Sequence, residues 1–185
     1  MSHQSGRPAS SLPEAGTVLT HRDGRTITFV DHGRDDTGDY LLLEHRIPQQ
    51  GAMNGPHWHP QLEESFVVEA GRMRFRVDGQ DRVLLAGEQL TVRPRQVHQF
   101  WNESEDGLVA LHTIRPPGQH WKMFALIHKL ELEGKLSKGG MPRHPLWLGA
   151  AWASIDGYLA GPPLWLQRLV LGGLARAAER RGYRV

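Results

Sequence analysis

Turn-forming residues recur at short intervals between residues 17 and 115, and this spacing limits the possible fold more than any other feature of the sequence. Asp-Gly, Gly-Pro, Arg-Pro and single Gly signals separate short runs that are apolar or alternate apolar with polar residues. Runs of this kind, with β-branched and aromatic residues, are typical of an antiparallel sandwich or barrel. We therefore predict an all-β domain for this part of the chain.

One strand pair can be predicted in detail. Residues 72–77 alternate basic with apolar side chains, which is the period of a strand with one face in water. Asp78 and Gly79 follow, a pair that accepts the left-handed backbone of a tight hairpin turn. Residues 80–86 then form the returning strand, and the apolar side chains of the first strand should face the barrel interior.

After Pro116 the apolar residues recur in steps of three and four, which favours helices. We predict one helix near residues 121–132, ending close to Gly134. Two further helices are predicted over residues 146–159 and 164–181.

The sequence thus divides into a disordered N-terminal segment at residues 1–14, a β-barrel at residues 15–115 and an α-helical C-terminal extension at residues 116–185. The extension carries ten basic and four acidic residues, whereas the preceding part carries 12 basic and 16 acidic residues. Its last helix combines an apolar stripe with arginines, so we expect it to pack on the barrel or on a neighbouring subunit. Contact of this basic amphipathic helix with a membrane of anionic lipid is the alternative.

Composition excludes several classes of function. With 185 residues and 39% hydrophobic content, the chain is sized for one core, and a net charge of +2 argues against nucleic acid as a partner. The absence of cysteine excludes disulfides, thiolate metal sites and cysteine nucleophiles. Eleven histidines remain as donors for a transition metal, together with carboxylates.

The N-terminal residues lack the charged start and the apolar run of a secretory signal peptide, so a cytoplasmic location is expected. Asp156 and the pair Pro162-Pro163 interrupt the most apolar region, and no stretch of 18 apolar residues exists. The sequence therefore predicts no membrane span.

The residues suited to chemistry are concentrated between positions 51 and 71. Residues two apart in a strand share a face, so His57 and His59 can present two imidazole nitrogens to one point. Glu64 has the parity of the apolar residues that follow it and should face the interior, whereas Glu63 should face outward. A carboxylate buried among apolar side chains is strongly disfavoured unless a partner such as a cation satisfies it.

His98 supplies a third imidazole, at the start of a strand that follows a Pro-containing turn. With His57, His59 and Glu64 it completes a donor set of three imidazoles and one carboxylate. We predict that this set binds one divalent transition metal, Fe, Mn, Ni or Zn, at a site with a net charge of about +1. One or two coordination positions would remain for water, oxygen or substrate.

These two segments resemble the cupin superfamily. The first cupin motif, G-x5-H-x-H-x4-E-x6-G, is matched at all its fixed positions by Gly51, His57, His59, Glu64 and Gly71. The second motif, G-x5-P-x-G-x2-H-x3-N, is matched at Gly87, His98 and Asn102.

The second motif departs from the usual pattern at two positions, where Arg93 replaces a proline and Arg95 replaces a glycine. The predicted metal ligand His98 is not affected. Arg95, however, must accept a backbone conformation that glycine accepts more easily.

The resemblance implies a double-stranded β-helix, or jelly roll, with a metal near the middle of the barrel. Small cupins commonly pair through sheet edges, so a homodimer is expected. Three-His, one-Glu cupins include oxygenases, and we expect an oxygenase-like enzyme acting on a small organic substrate, with Glu64 as both ligand and proton acceptor. The alternatives are a metal-dependent isomerase, cyclase or decarboxylase and a non-catalytic module that binds a small molecule.

Five side chains are expected beside the metal in the barrel interior: Phe66, Met73, Phe100, His45 and His112. The apolar members are expected to fill the core, and they would line a substrate pocket if the barrel is partly open. The two histidines are expected to be hydrogen-bonded core residues. His45 also has the inward parity that suits contact with substrate or with the metal ligands.

Overall fold

The computed structural model describes residues 12–183 and consists of a jelly-roll barrel followed by three helices. The barrel strands are β1 (Val18–Thr20), β2 (Thr26–Asp35), β3 (Gly38–Ile47), β4 (Gly51–Ala52), β5 (His57–Trp58), β6 (Glu63–Ala70), β7 (Arg72–Val77), β8 (Gln80–Leu85), β9 (Gln89–Val92), β10 (His98–Asn102) and β11 (Leu108–Arg115). The later elements are α1 (His120–Leu132), α2 (Pro145–Ser154), β12 (Tyr158–Leu159) and α3 (Leu164–Arg180). The predicted all-β barrel with a helical extension is confirmed. Most of the predicted disordered segment, residues 1–11, lies outside the described residues.

Two sheets of antiparallel strands build the barrel. One sheet has the order β1-β2-β3-β11-β6-β9, and the other has the order β12-β5-β10-β7-β8 with β4 paired to β10. Strands that are distant in sequence are neighbours in both sheets, as the winding of a jelly roll requires. This winding brings β6 of one sheet close to β5 and β10 of the other.

The hairpin between β7 and β8 has the predicted form. Val77 pairs with Gln80, which leaves Asp78 and Gly79 as the two turn residues. Their φ angles of 50° and 80° are both positive, as a two-residue type I′ turn demands. Met73 and Phe75 point into the core, so the predicted phase of β7 is confirmed.

The first predicted helix is confirmed, because α1 ends at Leu132 and Gly134 follows in the left-handed region. The prediction of a second helix over residues 146–159 is wrong at the C-terminal end of the helix. α2 stops at Ser154, and Ile155 has an extended backbone. The chain then forms the short strand β12, which pairs with β5. Periodicity did not indicate this strand, since its hydrogen bonds are made with a distant part of the chain.

The apolar stripe predicted for α3 is only partly buried. Gln167 and Ala178 are buried, whereas Leu166, Leu169 and Val170 are exposed. The helix packs on α2, and the two backbones approach so closely that a Cβ at Gly149 would lie 2.5 Å from the carbonyl carbon of Leu174. The small residue Gly149 therefore permits this contact, in which Ala178 is the buried member of the stripe. The predictions of a homodimer and of lipid contact remain predictions.

Among the described residues, no helix combines the length and apolar character that a membrane crossing needs.

The barrel interior contains two apolar clusters separated by a polar layer. At three places along the chain a polar residue lies between members of the two clusters: His45 between Leu43 and Ile47, Glu64 between Leu62 and Phe66, and His112 between Ile114 and Ala110. α1 covers the barrel on the side of Leu43, where Trp121 joins the cluster. A band of histidines with one carboxylate therefore lies between apolar side chains on both sides.

We predict that Gly71→Ala destabilises the barrel by about 2–4 kcal/mol, as measured by urea unfolding. Gly71 has a φ of 88°, and an added Cβ would lie 2.4 Å from both the Gly107 carbonyl oxygen and the Ser104 hydroxyl. Left-handed strain and overpacking both contribute. Gly79→Ala is the control: it has a similar φ but open space around it, so it should cost only about 1 kcal/mol. Equal losses in the two variants would contradict the close approach.

Candidate metal centre

Four side chains from three strands and the adjoining loop converge in the polar layer: His57, His59, Glu64 and His98. One donor atom from each lies within 4.8 Å of the others. Three of the four residues are almost fully buried, and only His57 is partly exposed. Glu63 lies on the opposite face of β6 and is half-buried. The structure thus brings together the four residues that the sequence predicted.

Backbone carbonyls fix the orientation of all three imidazoles. The Nδ1 atom of His57 lies 2.8 Å from the Gly55 carbonyl oxygen, and that of His98 lies 3.1 Å from the Gln96 carbonyl oxygen. The Nδ1 atom of His59 lies 2.5 Å from the Asp156 carbonyl oxygen. A carbonyl can only accept, so each Nδ1 carries the proton, and each Nε2 is left with a free lone pair. Metal-binding histidines are commonly oriented in this way.

The atoms that face one another at the centre lack hydrogen-bond partners. Nε2 of His59, Nε2 of His98 and one carboxylate oxygen of Glu64, Oε2, are all buried and unpaired. Oε2 is 2.8 Å from Nε2 of His98 and 3.4 Å from Nε2 of His59, but neither pair has hydrogen-bond geometry. Unpaired buried polar atoms are costly and rare in folded proteins. A cation among these atoms satisfies all three, so the residues present fit a metal ion.

The electrostatics also favour a positive charge at this point. Burial opposes protonation of His59, but the Glu64 carboxylate and the Asp156 carbonyl outweigh it and raise the pKa of the imidazole. For His57, burial and the neighbouring His98 lower the pKa to about 4, so this ring is a neutral donor at neutral pH. The site therefore combines a neutral donor, His57, with a preference for a positive charge near His59 and Glu64.

Glu64 is held by a chain of two further histidines. Nε2 of His112 lies 3.0 Å from the Oε1 atom of Glu64, and Nδ1 of His112 lies 3.2 Å from Nε2 of His45. Because a carboxylate only accepts, Nε2 of His112 donates to Glu64, and His45 supports the far side of the same ring. Burial raises the pKa of the Glu64 carboxyl, but the hydrogen bond from His112 and the close approach of the imidazoles of the centre hold it well below its usual range. Glu64 is therefore an ionised, oriented donor.

The sequence comparisons agree with this geometry. The model of the cupin domain family matches residues 44–114, a segment that contains all four candidate ligands. This segment is a cupin domain. No curated protein sequence matches the chain.

Several solved structures are similar at low identity. KdgF from a Halomonas species is 17% identical, with a TM-score of 0.45 over 53% of this chain and 84% of that one. A Streptomyces PAC13 variant with uridine is 15% identical, with a TM-score of 0.42 over 54% and 74% of the two chains. A sugar phosphate isomerase of the cupin superfamily from Silicibacter pomeroyi is 18% identical, with a TM-score of 0.42 over 56% and 70%.

The second cupin motif builds the turn that supports the centre. Arg95, which stands where the motif has glycine, has a φ of 71°, so the predicted demand on its backbone is confirmed. Its N–H donates to the His59 carbonyl oxygen at 2.6 Å. Asn102 is buried and donates to the Ile47 and Gln49 carbonyl oxygens, while its own oxygen accepts from the Ser104 N–H. These two motif residues thus support the cupin domain through its backbone.

The five side chains predicted beside the metal fall into two groups. Phe66 and Met73 are buried in the apolar cluster next to the centre, and Phe100 packs against the same cluster while partly exposed. The ring of Phe66 also stacks on His112, with centroids 4.2 Å apart. His45 and His112 instead form the hydrogen-bonded chain to Glu64. The three apolar residues therefore fill the barrel on one side of the centre, and their role as a substrate pocket remains a prediction.

The C-terminal extension contributes to the centre in a way that sequence reasoning missed. Asp156 and Gly157, which lie just before β12, contact His59: the first through its carbonyl oxygen and the second through close packing. His120, at the start of α1, is 5% exposed, and its ring centroid lies 5.7 Å from that of His59. Burial, together with the nearby imidazoles of His59, His112 and His57, lowers the pKa of His120 to about 3. No cupin motif includes these residues, and no local pattern in the sequence marks them as part of the site.

We predict that Gly157→Ala weakens metal binding although no ligand is changed. A Cβ at residue 157 would lie 2.9 Å from the Nδ1 and Cε1 atoms of His59, so the ring or the Asp156 carbonyl must move. Loss of such a supporting contact typically costs 10- to 100-fold in metal affinity. The measurement is a competition titration against a chromophoric chelator. Gly173→Ala in α3 is the control, since its Cβ would meet nothing within 4 Å. An unchanged dissociation constant for Gly157→Ala would contradict the supporting role.

Proposed function

We propose that this protein is a metal-dependent enzyme that acts on a small organic molecule at the centre formed by His57, His59, Glu64 and His98. The observation that supports this best is the set of buried, unpaired atoms facing one point: Nε2 of His59, Nε2 of His98 and Oε2 of Glu64. Three imidazoles and one carboxylate suit a single divalent Fe, Mn, Ni or Zn ion and leave it a net charge of about +1. When bound, the ion would supply a Lewis acid, and a redox centre if it is iron or manganese.

The chain's own residues hold the donors in place and exclude water. His57 is the only partly exposed member of the set, so a substrate would reach the centre from its side. Apolar side chains lie on both sides of the polar layer and would keep bulk water from a bound molecule. Glu64 has a strongly lowered pKa, which suits a permanent anionic ligand more than a proton acceptor. Our proposal therefore keeps Glu64 as a ligand and places proton transfer on other groups.

Oxygenase-like chemistry is our first candidate for the reaction. The donor set would leave positions for oxygen and a chelating enol, phenol or keto acid on one ion, and the apolar interior would protect reactive species from water. A non-oxidative isomerase, cyclase or decarboxylase is the second candidate. His120 favours it, because this imidazole lies beside the centre without belonging to the donor set. Such a group can hold or move a proton during enolate chemistry.

We predict that His59→Ala sharply lowers the metal content of protein purified without chelators or a nickel column. Glu63→Ala should leave it unchanged, because Glu63 lies on the face of β6 opposite to that of Glu64. Elemental analysis of both variants and the parent protein measures the effect, and circular dichroism checks that each is folded. Equal metal loss in the two variants, or a parent protein that takes up no divalent metal, would refute the metal centre.

A comparison of aerobic and anaerobic turnover separates the candidate reactions. We expect the Fe(II)-loaded protein to consume oxygen when given a catechol, a flavonol or a diketone, as followed with an oxygen electrode and by product analysis. His98→Ala, which removes one donor, should abolish this consumption. Turnover under strict anaerobiosis would instead favour the isomerase or cyclase. Saturable binding without turnover under either condition, at full metal occupancy, would identify a non-catalytic binding module.

A further inference from the structure

His120 occupies a position that neither the barrel nor the donor set explains. It is the first residue of α1, the helix that covers the barrel, and its side chain is buried against the centre. Its ring centroid lies 5.7 Å from that of His59 and 5.3 Å from that of Phe124. A polar ring thus lies between a candidate metal ligand on one side and an apolar side chain on the other.

The Nδ1 atom of His120 is buried and has no hydrogen-bond partner. Folded proteins seldom leave such an atom unpaired, because it has lost its hydrogen bonds to water without replacing them. The nearby candidate ligands do not supply the partner, since their Nδ1 atoms lie near backbone carbonyl oxygens and the Nε2 atoms of His59 and His98 face Glu64. Among the described residues, Nδ1 of His120 therefore has no protein partner and is available to a molecule bound beside it.

The spacing agrees with contact through a bound molecule rather than direct ligation. The ring centroids of the candidate ligands lie 4.2–5.4 Å from one another, and their donor atoms meet within 4.8 Å. His120 is not a member of that group, and its ring lies slightly farther out, at 5.7 Å from His59. His120 therefore lies beside the donor set without joining it, close enough to contact a molecule bound there.

We propose that His120 is a substrate-binding residue supplied by the C-terminal extension, and that its free nitrogen hydrogen-bonds an oxygen of the molecule at the centre. This inference rests on the proposed function. It also narrows the substrate class: the molecule has one oxygen for the ion and a further hydroxyl or carbonyl oxygen for the imidazole. With a net charge of about +1 at the centre, a monoanion such as an enolate or a phenolate is favoured. The extension is then part of the active site.

The test uses the full chain loaded with Co(II) and titrated with 4-nitrocatechol, whose visible absorption reports binding. We expect His120→Ala to weaken binding of this probe about tenfold, the usual effect of losing one hydrogen bond of this kind. His120→Asn should recover most of the affinity, because its amide can take the place of Nδ1. His128→Ala is the matched control: it removes the same residue type from the same helix, where the ring instead contacts the Thr20 carbonyl oxygen.

The affinity for Co(II), measured by chelator competition, distinguishes failure of the His120 inference from failure of the proposed metal-dependent function. If His120→Ala binds metal and probe as tightly as the parent protein, His120 does not contact the ligand and the inference fails, while the metal centre stands. If His120→Ala loses the metal, His120 supports the donor set rather than the substrate, and the inference fails again. A parent protein that binds no Co(II) would overturn the proposed function together with the inference.

Discussion

The structure depends on how one carboxylate is satisfied in an apolar interior. Glu64 lies in the middle of the barrel, where burial alone would make its ionised form very unfavourable. His112 pairs with one oxygen of the carboxylate, and the other oxygen faces the imidazoles without a proper hydrogen bond. The first contact fixes the side chain, and the second leaves a place where a cation would be stabilised. Most residues of the polar layer lie next to one or the other of these two carboxylate oxygens, the paired one or the unpaired one.

The alternation of residues along strands made much of this centre predictable from sequence. In a strand the side-chain period is two, so the parity of Glu64 with the apolar residues after it was enough to place its carboxylate inside and that of Glu63 on the other face. The same argument put His57 and His59 together. Parity within a single strand does not show which strands become neighbours, and for His98 the cupin resemblance supplied that information.

The contributions of the extension were not predictable, because they depend on contacts between distant segments. The periodicity of α2 continues through apolar residues that in fact leave the helix and add β12 to the sheet beside β5. Pairing of two short strands far apart in sequence has no local signal. For the same reason His120 is an unremarkable helical residue in the sequence, and only the placement of α1 over the barrel brings it to His59. If the second helix continued to Leu159 as predicted, the Asp156 carbonyl would lie inside the helix and would not be available to orient His59.

His59 connects the two parts of the molecule. Its own carbonyl oxygen accepts from Arg95 in the barrel, while its ring is oriented by the Asp156 carbonyl of the extension. The packing of the extension against the barrel and the orientation of the His59 ring are therefore coupled, and such coupling acts in both directions. An ion bound by the oriented ring would stabilise the docked extension, and the docked extension would strengthen the binding of that ion. The extension is in this respect a structural component of the candidate metal centre, although the cupin motifs lie entirely within the barrel.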